Sequence, residues 1–81
     1  MSVSKLIADI SPDCIDRGQA IRDIQFQVAR VAGIKTDNTI PQWERKRRIM
    51  MVRYWIAVAQ GKSRRVTSGL YTKALRCRPR A

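Results

Sequence analysis

The chain has 81 residues, of which 17 are Lys or Arg, six are Asp or Glu and none is His, for a formal net charge of +11. A chain this short buries only about 60% of its unfolded surface, so it builds one domain with a thin core and no deep catalytic cleft. The absence of His removes imidazole bases and ligands, and two cysteines, Cys14 and Cys77, cannot close a zinc site that needs four N or S ligands.

Val3, Leu6, Ile7 and Ile10 recur at helical spacing. They predict a short first helix, capped by Ser2 or Ser4 and stopped by Ser11, because Pro12 disfavours helical geometry in the residue before it. The run is too short for a signal peptide and is broken by Lys5 and Asp9. Three acids by Asp16 argue against a mitochondrial transit peptide. No stretch reaches the ~20 apolar residues that span a bilayer. The expectation is a soluble, cytoplasmic protein with two free thiols; a Cys14–Cys77 bridge is the alternative.

Ser11-Pro12-Asp13 reads as the start of a second helix, with a cap, a first-turn proline and an acid at the positive helix end. Asp16 with Gln19 is an alternative cap pair one turn later. At about 100° per residue, Ala20, Ile21, Ile24, Val28, Val31 and Ala32 share one stripe, and Gly33 is the expected stop. Phe26 lies nearly opposite that stripe; it either packs under the first helix or meets a partner. Asp13 and Asp16 have a spacing that can present two carboxylates to a metal, but stabilising a helix N-terminus accounts for them better.

Residues 34–40 read as a loop with a turn at Asp37-Asn38. Pro41 opens a third helix that runs to about Gln60, before Gly61. Its first turns carry Arg45, Lys46, Arg47 and Arg48, which splay around the axis as a basic spike. From Ile49 to Ala59 only Arg53 interrupts an otherwise apolar or aromatic run that includes Trp55. A helix apolar on every side is expected to be buried on every side, which makes this half the central core helix. In the last segment Val66, Leu70, Tyr71, Ala74 and Cys77 form a broad stripe, with Thr67 or Ser68 as cap. A homodimer would complete the cover of the third helix if the chain itself does not. Helix formation ends at Pro79, and residues 79–81 read as a mobile tail. The fold class is therefore all-α: a single domain over residues 1–81 with three to four helices around the apolar helix at about 41–60.

Charge divides the chain. Residues 1–40 carry five bases and five acids, whereas residues 41–81 carry twelve bases and only Glu44 as an acid. Such an imbalance points to nucleic acid, an anionic membrane or an acidic protein surface. The bases form three groups: Arg45, Lys46, Arg47, Arg48 with Arg53; Lys62, Arg64 and Arg65; and Lys73, Arg76, Arg78 and Arg80. Nine of the twelve are Arg, whose fork grips phosphate bidentately and stacks on bases, as a surface built for solubility alone does not require. Trp43 either stacks on a base or packs against the core.

The segment Arg53–Tyr71 resembles the helix-turn-helix motif in part. Ala57 and Gly61 have its spacing and Ile56 and Leu70 its buried positions, but Gln60, Lys62 and Thr67 stand where that family has apolar residues. The family is not assigned on that pattern. The run Arg45–Arg48 also matches short nuclear-localisation sequences, which leaves a nuclear location open. No catalytic constellation emerges: Ser63 has no base to activate it, and Gly61-Lys62-Ser63 is not a phosphate loop because Ala57 stands where the first glycine belongs.

The leading expectation is a small, non-enzymatic nucleic-acid-binding protein, DNA or RNA, that acts through phosphate contacts of its Arg-rich half, with no metal or cofactor. The alternative is a modulator or inhibitor that docks on an acidic or nucleic-acid-handling protein, anchored by aromatics such as Phe26, Trp43, Trp55 and Tyr71. A third, weaker reading is a module that binds an anionic membrane surface through the Trp and Arg residues of the third helix.

Overall fold

A computed structural model of the chain describes residues 2–79. They form four helices: α1 (Val3–Ala8), α2 (Arg17–Thr36), α3 (Gln42–Ala59) and α4 (Arg64–Arg76). No strand occurs among the described residues. The expected contact of Arg80 and the end of the expected mobile tail, Arg80 and Ala81, lie outside them.

Helix α3 packs against α2 on one side and α4 on the other, while α1 packs against α2. The layer is flat, with principal extents of 44 × 26 × 16 Å. Its apolar core joins α1, α2 and α3. Ile10, Ala20, Ile24, Ile34, Val52 and Ile56 are buried there, and Leu6, Ile7, Val28, Val31 and Ile49 pack around them. The first-helix stripe thus points inward as its spacing predicts. Helix α4 joins α3 through small side chains: Ala57, Ala74 and Thr67 are all buried.

Several expected boundaries move. Helix α2 does not start at Pro12. Its cap is the alternative, Asp16, whose carboxylate accepts the Gln19 N–H at 2.9 Å. Ser11 has other work: its N–H donates to the Gln60 carbonyl at 2.8 Å, and its hydroxyl accepts the Asp13 N–H. Gly33 does not stop α2, which continues to Thr36 because Ile34 buries its side chain in the core. The loop expected over 34–40 shrinks accordingly, and Ala32, expected on the buried stripe, is exposed. Pro41 is the cap of α3 rather than its first helical residue. Helix α4 is capped by Ser63, which accepts the Val66 N–H, and not by Thr67 or Ser68.

The expectation that the second half of α3, from Ile49 to Ala59, is buried on every side fails. Trp55 is 48% exposed and Val58 43%, and only Val52, Ile56 and Ala57 within the helix are buried. Two flanking helices cover two sides of a helix, and the chain is too short to supply a second layer. The cover at the far end is α1 and its linker, which the buried Gln60 secures. Its side-chain amide donates to the Leu6 carbonyl at 2.9 Å, while its own carbonyl holds Ser11. Phe26 does not pack under α1; it stands 64% exposed.

Candidate nucleic-acid interface

Gly61 turns the chain between α3 and α4 with φ +76°, the left-handed region that favours glycine. Helix α4 then runs back along α3. Tyr71 meets Tyr54 with ring centroids 5.3 Å apart, and the far ends of both helices share one groove. The segment with the partial helix-turn-helix pattern thus forms two helices that turn at Gly61 and line one groove at their far ends. Of the three non-apolar residues, Lys62 is exposed, whereas Gln60 and Thr67 are buried, because each satisfies its polar group on a backbone carbonyl: Gln60 on Leu6 and Thr67 on Arg64.

The shared groove is the principal concavity, about 980 Å³ and open to solvent. Lys46 and Arg53 enter it from α3, Lys73 and Arg76 from α4, and Arg78 from the segment after α4. Among the described residues, no acidic one lines it. A second concavity of about 460 Å³ continues it toward α2 and adds Lys35 and Arg45 to the same Lys46 and Arg53. A third, small and mostly apolar, brings Arg53 together with Lys62 near α1. Arg53 lines all three and is the hub of the basic face.

The physical cause is helix geometry. Lys46 and Arg53 are seven residues apart on α3, and Lys73 and Arg76 three apart on α4, so each pair shares a helix face. The turn at Gly61 sets those two faces side by side. Arg45 is partly covered against α2, with Nη1 reaching the Lys35 carbonyl at 3.5 Å and a buried Nε that meets no acceptor. The expected basic spike is therefore not a projection: Arg45, Lys46, Arg47 and Arg48 divide between the two faces of the layer.

Arg47 and Arg48 belong to the opposite face. There a cleft of about 370 Å³ is lined by Arg30, Trp43, Glu44, Arg47, Arg48, Met51 and Trp55. Glu44 pairs with Arg48 at 3.1 Å, the one ion pair among the described residues. Trp43 is half-buried and lines both the groove and the cleft. Arg64 and Arg65 join neither; they stand exposed in the first turn of α4, where the helix dipole disfavours a cation. Lys62 meets only the Arg53 end of the face.

Of the expected partner contacts, Phe26 is exposed, Trp43 half-buried and Tyr71 42% exposed. Sequence reasoning missed Lys35 as part of the basic face, because it was assigned to a loop. It also took Trp55 for a core residue. Asp16 serves as the α2 cap, and no group of three or more His, Cys, Asp or Glu residues gathers among the described residues. Cys14 and Cys77 are free. No described helix is long and apolar enough to cross a membrane.

No family model, curated protein or solved structure matches this chain.

Proposed function

We propose that this protein binds nucleic acid along the α3–α4 groove, through phosphate contacts of its basic half and without catalysing a reaction. The observation that carries the reading is the convergence of Lys46, Arg53, Lys73, Arg76 and Arg78 on one open groove that no acid lines among the described residues. Like charges gathered from two helices and a following segment repel one another and destabilise the fold unless a polyanion compensates them. Guanidiniums and ammoniums on a solvent-open groove reach phosphates without a large desolvation cost.

Five groove cations neutralise about five phosphates, which gives a slope of log K against log salt of about −4.5 on duplex and about −3.5 on single strands. The test replaces Lys46, Arg53 and Arg76 together with Gln, which keeps helix propensity high. Binding is expected to weaken on all sequences alike, and the slope to flatten by about two to three units. Replacing Lys5, Arg17 and Arg22, which line none of these concavities, removes the same charge and is expected to change little. Absence of binding at low salt, or equal behaviour of the two triple variants, refutes the reading.

The exposure of Phe26 on α2 supports a second reading, in which the protein docks on a nucleic-acid-handling protein and modulates it. A stoichiometric partner that survives nuclease treatment and is lost in Phe26→Ser would favour that reading over the first.

A further inference from the structure

We infer that the nucleic acid is taken as a single strand, with an unpaired base stacked on Trp55. The inference rests on the nucleic-acid reading and deepens it to a substrate class. Three aromatic side chains run together, and one of them, Trp55, lines the cleft on the face opposite the groove. Tyr54 lies between Trp55, at a centroid distance of 5.1 Å, and Tyr71, at 5.3 Å. Among the described residues no helix covers Trp55 or Tyr71, which are 48% and 42% exposed, while Tyr54 between them is partly buried.

The surroundings of Trp55 decide what kind of occupant fits. The cleft beside it brings in Arg30 from α2 and Arg47 and Arg48 from α3. Only Arg48 has a carboxylate within ion-pair distance among the described residues. Three guanidiniums beside an open indole disfavour a second copy of this chain, which carries +11 itself. They favour a ligand that has both a π-face and negative charge, and an unpaired nucleotide has both. A cleft of about 370 Å³ accommodates one base with its phosphate.

The position of the cleft separates single strand from duplex. A duplex keeps its base faces inside the stack and offers aromatic side chains only edges and backbone. It is also stiff over many helical turns. The groove and the cleft lie on opposite faces of a thin layer and meet at Trp43, which lines both. A flexible strand turns around that end of the layer, its phosphates in the groove and a base on Trp55. A straight duplex engages the groove alone.

The experiment uses the full chain with Trp43→Phe, which leaves Trp55 as the sole tryptophan reporter. Short oligothymidine and a hairpin duplex of equal phosphate number serve as probes. Oligothymidine is expected to quench Trp55 fluorescence in a saturable way, and the duplex to leave it nearly unchanged. In the otherwise native chain, Trp55→Ala is expected to weaken oligothymidine binding about 5- to 150-fold, the range that base stacking on an aromatic side chain gives, and to spare duplex binding. If Trp43→Phe does not fold, the same quench is read from the native chain, and its reduction in Trp55→Ala replaces the single-tryptophan signal. Equal binding of both probes with no effect of Trp55→Ala overturns the inference and leaves the groove reading standing. Binding of neither probe overturns the groove reading itself.

Discussion

Two glycine-to-alanine substitutions are expected to change stability in opposite directions. Gly61 sits in the α3–α4 turn at φ +76°, and an added Cβ would stand 3.1 Å from Ser11 Cβ. A residue with a Cβ in that left-handed conformation costs about 1–2 kcal/mol. Ser11 cannot withdraw freely, since its N–H is held by the Gln60 carbonyl at 2.8 Å and its hydroxyl by the Asp13 N–H at 3.2 Å. The smaller entropy of the unfolded chain returns about 0.4–1 kcal/mol. Contact strain adds to the conformational cost, so Gly61→Ala is expected to destabilise by about 1–2 kcal/mol. Gly33 lies inside α2 with nothing within 4 Å of an added Cβ. Gly33→Ala therefore gains helix propensity without a clash and is expected to stabilise by about 0.5–1 kcal/mol. For a domain of this size, 1 kcal/mol moves Tm by about 4–8 °C. Thermal unfolding followed by far-UV circular dichroism is expected to show Tm raised in Gly33→Ala and lowered in Gly61→Ala. If Gly33→Ala lowers Tm, Gly33 ends the helix as a left-handed cap and the extension of α2 to Thr36 is wrong. If Gly61→Ala is neutral, the turn is not built as described.

The same denaturation assay ranks the core: Ile24→Ala, at a fully buried site, is expected to cost about 2–5 kcal/mol, whereas Trp55→Ala is expected to cost only about 1–2 kcal/mol because half of the indole already faces water. A Trp55→Ala loss as large as that of Ile24→Ala would mean the indole is buried. Gln60→Ala leaves the Leu6 carbonyl without its donor and is expected to cost about 1–3 kcal/mol; hydrogen exchange should then show α1 loosened before α3. Asp37 is held below its ordinary carboxylate range, first by the Thr39 hydroxyl and next by the Thr39 N–H, with Arg48 and Arg45 adding smaller effects. Its folded value is depressed, so its stabilisation is present above the unfolded value of 3.8 and is lost as pH falls below about 4. Asp37→Asn is expected to remove that part of the acid sensitivity and leave stability at neutral pH only slightly changed; an Asn variant with an unaltered acid unfolding curve would count against it.

Some of this protein was legible one residue at a time. Helical spacing located α1 and most of α2, Pro41 and Gly61 bracketed α3, and the count of charges placed the basic half, because local pattern and composition need no tertiary partner to be read. The Asp16–Gln19 cap was visible, but it could not be chosen over Ser11-Pro12. That choice depends on Ser11 meeting the Gln60 carbonyl, a contact between residues far apart in sequence. The end of α2 was hidden for the same reason: Gly33 signals a stop, and only burial of Ile34 against the core overrides it. The exposure of Trp55 was hidden as well. An apolar run says how much surface seeks cover, whereas the number of helices that reach it decides how much is covered. Here two flank α3, and one face stays open. The site followed the same division. The sequence supplied the cations; the antiparallel return of α4 chose Lys46, Arg53, Lys73, Arg76 and Arg78 for one groove and sent Arg47 and Arg48 to the other face, because which helix faces converge depends on how the helices pair.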